Sequence, residues 1–205
     1  DILRMDSEEL SLLERAGCRF LQFGVESGSP RILKLIAKDV ESEDVLELNG
    51  RLKDYPQITP HYNFICGFPT ETREEVLMTA RLAWRLLEKN PMALISPFHH
   101  YKPYPGTPLF ELARQDGYIV PSVLEGWRRY DWTTAVAKNN SRSYTRLLKN
   151  IEVASIFVDR KVNFVSRSRF YRIVARVYRP MARFRMSHSF YSFMPEAWAY
   201  QWLVS

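Results

Sequence analysis

The sequence predicts an α/β fold: three parallel strands joined by crossover helices, followed by a helical C-terminal region. Three observations carry this. Short apolar runs end in polar residues beside Gly or Pro at Gly17–Gly28, Asn63–Thr72 and Tyr101–Phe110, which is how a parallel barrel puts functional groups at the C-terminal ends of its strands. The segments between them are helix-sized, so the order reads helix, strand, helix, strand, helix, strand. After Ser141 the pattern changes to long helical repeats.

The elements follow in order. Asp6-Ser-Glu-Glu9 reads as a capping box, with the Asp6 side chain accepting from a free backbone N–H and Glu9 reaching back. Leu10, Leu12, Leu13 and Ala16 give that helix an apolar side, and Gly17 ends it. Arg19 to Val25 alternates incompletely, as a strand buried on both faces would, and the first strand is set at residues 20–26. Ser29-Pro30 opens the next helix, with Ile32, Leu33, Leu35 and Ile36 toward the core. A further helix covers about 42–52, and residues 59–66 form the second strand. Thr72-Arg-Glu-Glu75 is a second capping box, starting a helix that continues to about Lys89. Residues 94–101 form the third strand. Thr107-Pro108 starts a short helix that Gly117 stops. Pro121 to Asn140 is irregular, with Trp127 and Trp132 as anchors, and Ser141 to about Val158 is helical.

The chain has 205 residues, 46 % of them hydrophobic, enough for one domain or one and a half with a real core. We divide it into residues 1–131 and 132–205. No apolar run is long enough to span a bilayer, and the charged N-terminal stretch does not read as a secretory leader. A cytoplasmic protein is expected, with peripheral membrane contact left open. Cys18 and Cys66, the only cysteines, lie in apolar strand-like segments and read as reduced, buried thiols. The net charge of +6 is concentrated late: Arg160 to Arg185 holds nine Arg or Lys residues and no Asp or Glu.

The segments Gly17-Cys-Arg-Phe-Leu-Gln-Phe-Gly-Val-Glu-Ser-Gly28, Asn63-Phe-Ile-Cys-Gly-Phe-Pro-Thr-Glu-Thr72 and Tyr101-Lys-Pro-Tyr-Pro-Gly-Thr-Pro-Leu-Phe110 resemble successive strand ends of the radical S-adenosylmethionine (SAM) enzymes. The similarity covers roughly residues 6–131. It implies the C-terminal half of a partial (β/α)6 TIM-like barrel, running from the helix before the fourth strand through the sixth strand. It also implies SAM bound along the strand ends and a [4Fe–4S] cluster held by a C-x-x-x-C-x-x-C triplet. That triplet is absent here, and two cysteines 48 residues apart cannot ligate a four-iron cluster alone. The cluster ligands are therefore expected in missing N-terminal domains of the same protein, and the chain alone is expected to be inactive.

The resemblance assigns SAM contacts residue by residue. Glu26 matches the polar residue after the fourth strand, which contacts the ribose or amino-acid part, and Ser27 lies beside it. Lys38 falls where some relatives place an Arg on the methionine carboxylate; Lys supplies the charge without the bidentate fork. Asn63 matches an Asp that faces the ribose, keeping the acceptor and losing the charge. Ile65 falls where an apolar side chain lines the adenine, and Gly67 permits close backbone approach. Glu71 reads as the organiser of its turn. Plain structural roles stand beside these: Glu26 as a helix cap, Lys38 as a cation on a helix dipole, Asn63 as a satisfied strand residue, Ile65 as core, and Gly24, Gly28 and Gly67 as turn glycines.

His99 and His100 are adjacent on a strand, so at most one faces the barrel interior. A substrate-facing or proton-transfer role suits one of them better than metal binding. Tyr101, Lys102 and Tyr104 lie at the same strand end as candidates to line a substrate cavity. No catalytic residue and no metal ligand is assigned.

Glu-Ser-Gly-Ser-Pro and Pro-Tyr-Pro-Gly-Thr-Pro-Leu-Phe resemble the branch that carries a cobalamin-binding domain upstream. Its best-known member type is the anaerobic magnesium-protoporphyrin IX monomethyl ester oxidative cyclase of bacteriochlorophyll biosynthesis. This resemblance implies a radical SAM oxidoreductase with cobalamin and a large tetrapyrrole-like substrate. In such enzymes a reduced cluster cleaves SAM to a 5′-deoxyadenosyl radical that takes hydrogen from an unactivated carbon. The alternatives are a radical SAM methyltransferase or methylthiotransferase on another substrate, and a non-catalytic α/β scaffold docked by its tail.

In the tail, Arg169, Arg172, Arg176, Arg179 and Arg183 share one helix face. Phe170, Ile173, Val174, Val177, Met181 and Phe184 fill the other side, with Pro180 as a break or kink. Three readings stay open: an anionic membrane surface, packing on absent domains of the same protein, and nucleic acid. The last is not expected, because no recognised binding module accompanies the basic face. An uncovered edge on the first strand is expected to cause self-association or to draw the tail back over the sheet.

Overall fold

The computed structural model describes residues 5–128, 142–160, 169–197 and 200. Trp132 and most of the irregular stretch before Ser141 lie outside the described residues, as does the side chain of Phe170. The elements are α1 (Ser7–Arg15), β1 (Phe20–Glu26), α2 (Pro30–Leu35), α3 (Ser42–Arg51), β2 (Thr59–Cys66) and α4 (Arg73–Lys89). Then come β3 (Leu94–Ile95), β4 (His99–His100), α5 (Leu109–Gln115), α6 (Leu124–Trp127), α7 (Arg142–Phe157) and α8 (Arg169–His188).

The helix starts form as the caps dictate. Asp6 and Glu9 exchange side-chain-to-backbone hydrogen bonds of 2.9 and 2.8 Å at the head of α1. Thr72 and Glu75 do the same for α4, and the Ser29 hydroxyl accepts from Ile32 N–H in α2 at 3.3 Å. The apolar side of α1 is narrower than its sequence suggests: Leu10 is buried and Leu12 is half exposed. At about 100° per residue these two lie nearly opposite each other on the helix.

β2 is the central strand, paired in parallel with β1 on one side and with β3 and β4 on the other. Pro60, Tyr62, Phe64 and Cys66 of β2 are buried. On that face the Tyr62 hydroxyl donates to Asn49 of α3 at 3.0 Å, and Phe64 stacks on Phe98 with centroids 5.2 Å apart. Val76, Ala80, Ala83 and Leu86 of α4 belong to the same core. Thr59, His61, Asn63 and Ile65 alternate onto the opposite, partly exposed face. β1 behaves likewise, with Phe23 and Val25 buried and its other face open, so it is not buried on both faces.

The third strand is shorter than the predicted 94–101. It pairs at Leu94–Ile95 and again at His99–His100, with a gap between. Pro97 cannot donate to a ladder; Ser96 N–H still donates to the Tyr62 carbonyl at 2.8 Å, while the N–H groups of Ile95 and Phe98 take side-chain acceptors. Ile95 N–H donates to Asp159 Oδ2 at 2.8 Å and Phe98 N–H to Ser155 Oγ at 3.0 Å. Ser155 of α7 and Asp159 just beyond it thus close this strand's outer side.

α8 packs on α7 and α4 rather than over the edge of β1. Its inward line is Tyr171, Ala175, Tyr178, Ala182 and Met186, with Phe157 of α7 edge-on to Tyr178 at 5.3 Å. The apolar side that the sequence sets opposite the arginines does not make this contact: Ile173, Val177 and Phe184 are 59, 75 and 49 % exposed. Small alanines let the helices approach closely and so decide the packed face. α8 also continues through Pro180 without ending. Pro180 and Arg176 are both exposed, so water can satisfy the carbonyl that the proline leaves unpaired.

Candidate functional site

The C-terminal ends of β1, β2 and β4 open into a cavity of about 800 Å³. Ile65, Phe98, Leu35 and Ile36 give it apolar walls, while Glu26, Asn63, His99, His100, Tyr101 and Tyr104 bring polar atoms to it.

Glu26 reaches the cavity through an irregular backbone. The β1–β2 register slips between Gly24 and Glu26, and Glu26 sits at φ +68°. A non-glycine residue there costs about 1–3 kcal/mol, and such strain clusters at functional sites. The carboxylate folds back over Gly24, where an added Cβ would collide with Glu26 Oε1. Lys38 Nζ lies 3.6 Å from Glu26 Oε1, with both side chains partly buried. Lys38 itself lines an adjoining groove with Pro30 and Asp39, so it reaches the site through Glu26.

Two sequence assignments belong to the scaffold instead. Ser27 is fully buried; its hydroxyl pairs with Thr79 Oγ1 at 3.2 Å and accepts from Ser29 N–H at 3.1 Å. Gly28 N–H donates to the same Thr79 oxygen at 2.9 Å, so this cluster pins the strand end to α4. Gly67, at φ +78°, backs onto Leu148. Its N–H donates to Glu71 Oε2 at 2.5 Å, Phe68 N–H donates to the same oxygen at 3.1 Å, and the Tyr118 hydroxyl donates to its carbonyl. Buried Glu71 therefore organises this turn, as the sequence suggested.

His99 pairs in register with Ile65, and His100 with Cys66, so they occupy opposite faces of β4. Both still border the cavity, because β4 ends there. Burial pushes the His99 pKa down, favouring its neutral imidazole, although the Glu152 charge opposes this. His100 Nε2 pairs with Glu152 Oε2 at 2.9 Å. Sequence reasoning missed Glu152, which also lines the cavity. A signal was present: it is the sole acid of α7 and directly follows the buried Ile151. Tyr101 packs edge-on to Tyr118 at 5.9 Å, and half-exposed Tyr104 lies 6.1 Å from Trp127.

The donor set suits a sulfonium nucleoside. Glu26 offers an anionic acceptor, Asn63 both donor and acceptor, and Ile65 and Phe98 apolar surface for a base. An iron–sulfur cluster does not fit on these residues. Cys18 precedes β1 and Cys66 ends β2, so a strand length of roughly 20 Å separates them along the sheet. Cys66 is fully buried, which pushes its thiol pKa up and keeps it protonated. Cys18 is only partly buried, so it is not the core thiol expected. Among the described residues no group of His, Cys, Asp or Glu is placed to hold a metal.

Residues 3–83 match the Radical SAM superfamily. The match runs from α1 into α4 and includes the ends of both β1 and β2. SAM and a [4Fe–4S] cluster are the cofactors it implies. An uncharacterized methyltransferase of Pyrococcus horikoshii is 33 % identical over 126 residues, covering 62 % of this chain and 26 % of its own. The tRNA-2-methylthio-N(6)-dimethylallyladenosine synthase of Akkermansia muciniphila is 29 % identical over 120 residues, 58 % of this chain and 24 % of its own. The same synthase of Ehrlichia canis is 35 % identical over 121 residues, with shares of 58 % and 25 %. The chain thus spans about a quarter of the length of these curated relatives. Among the described residues no helix is long and apolar enough to cross a membrane.

Proposed function

We propose that this chain supplies the SAM-facing strand ends and part of the substrate cavity wall of a radical SAM enzyme. The observation that carries this reading is the cavity at the ends of β1, β2 and β4, with Glu26 held at a strained angle on its wall. Bound there, SAM would supply the adenosyl group on which the family's chemistry depends. The chain's own residues bind and orient it: Glu26 accepts from ribose hydroxyl or amino groups, Lys38 adds positive charge beside that carboxylate, Asn63 hydrogen-bonds and Ile65 packs. Neutral His99 and the His100–Glu152 pair face the substrate side of the same space.

Methyl or methylthio transfer to another substrate is favoured as the reaction, since the relatives' names are of that class. The second reading is a cobalamin-dependent oxidative cyclase acting on magnesium-protoporphyrin IX monomethyl ester. It rests on the resemblance of Glu-Ser-Gly-Ser-Pro and Pro-Tyr-Pro-Gly-Thr-Pro-Leu-Phe to that branch. In the intact protein, Glu26→Ala should weaken SAM binding about ten- to a hundredfold, the value of a charge-assisted hydrogen bond, Lys38→Ala should weaken it less because Lys38 acts through Glu26, and both should leave cluster absorbance unchanged. Unaltered SAM affinity in both variants would overturn the assignment. Anaerobic turnover with porphyrin esters separates the two reactions.

A further inference from the structure

Around its axis α8 has three surfaces. One packs on the protein through Ala175, Ala182 and Met186. A second is an outward apolar stripe of Ile173, Val177, Met181 and Phe184, which are 59, 75, 47 and 49 % exposed. These four fall within about 80° of one another at 100° per residue. The third, on the other side of that stripe, carries Arg169, Arg172 and Arg176. No Asp or Glu occurs anywhere from Arg160 to Pro195. Just past the helix, Phe190 and Phe193 are also exposed.

We infer that α8 seats this chain on an anionic lipid surface, with the Ile173–Phe184 stripe entering the headgroup boundary and the arginine flank meeting lipid phosphates. The inference does not depend on the reaction proposed above. A helix turned to water would present polar residues where α8 presents aliphatic ones. The charge decides what covers the stripe. An unbroken positive flank beside an apolar stripe is complementary to anionic headgroups, and long arginine stems can bury while their heads stay at the phosphates. Nucleic acid would use aromatic platforms between the cations, whereas this stripe is mostly Ile, Val and Met. A second copy docking through the same face would bring two arginine flanks together.

The test is cosedimentation of the whole chain with vesicles of phosphatidylcholine mixed with phosphatidylglycerol, against phosphatidylcholine alone. Binding should be at least about tenfold stronger to the anionic vesicles and should fall with added salt. Val177→Glu, and separately Arg169→Glu with Arg176→Glu, should each weaken it about tenfold or more, with the melting temperature unchanged because these side chains are exposed. No binding to anionic vesicles would overturn the inference, and so would binding that Val177→Glu leaves intact. A tRNA gel shift abolished by the arginine variant but not by Val177→Glu would assign the face to nucleic acid instead. A concentration-dependent dimer lost in Val177→Glu, without lipid binding, would assign it to a second copy.

Discussion

Glu26 combines an unfavourable backbone with a side chain at the cavity, and the two can be separated by substitution. Glu26→Gly removes the penalty of φ +68° and should keep or raise thermal stability, by up to about 1 kcal/mol, while SAM affinity in the intact protein falls. A clear loss of stability would mean that the Glu26 carboxylate holds the fold together. Glu75 shows the opposite arrangement, a carboxylate used entirely for structure. It accepts from Arg31 Nε and Nη2, both at 2.7 Å, and from Thr72 N–H and the Ser29 hydroxyl, both at 2.9 Å. The Arg31 hydrogen bonds, helped by those from Thr72 and Ser29, hold its pKa down at about 2. The folded chain therefore keeps Glu75 ionised where the unfolded chain has begun to protonate it. The stability this gives is complete above the ordinary glutamate pKa of 4.5 and drains away as pH falls toward 2. Glu75→Gln should cost about 1–2 kcal/mol at neutral pH, a reduced figure because Arg31 is half exposed. It should also flatten the acid limb, as urea unfolding at neutral and acid pH would reveal.

The turn from β2 into α4 depends on one buried acceptor. Glu71 Oε2 takes the N–H groups of both Gly67 and Phe68, and Phe68 lines the cavity. Glu71→Ala strands two backbone donors and should destabilise the chain by about 1–3 kcal/mol or more. Glu71→Gln keeps an oxygen acceptor and should recover much of that loss in a thermal melt. Equal losses in both variants would show that the charge, and not the acceptor, fixes the turn. The third strand shows the complementary case. There the ladder is interrupted at Pro97, and side chains from α7 and just beyond it supply the missing acceptors.

Taken as a whole, the sheet is protected on one edge and open on the other. Ser155 and Asp159 close the side of β3 and β4, while β1 has no outer neighbour among the described residues and Phe20 on it is half exposed. α8 packs on α4 and α7, so among the described residues this helix does not shield β1. Such an edge readily pairs with another strand. Solution scattering of this chain should therefore give a mass that rises with concentration, and a strictly monomeric particle would mean that β1 is covered by other means.

The capping boxes at Asp6–Glu9 and Thr72–Glu75, the bounds of β1 and β2, and the crossover order were legible from residue order, because each is fixed by groups a few positions apart. Glu26, Asn63 and Ile65, which the strand-end resemblance had picked out, line one cavity. The identity of the inward face of α8, the burial of Ser27 under Thr79, the split third strand and the His100–Glu152 pair were not legible from residue order. Each joins residues tens of positions apart, and their meeting depends on how closely helices and sheet approach in space. An alanine at 175 or 182 looks neutral in a sequence, yet once helices pack it is the small residue that permits contact, and that contact leaves Ile173 and Val177 facing outward.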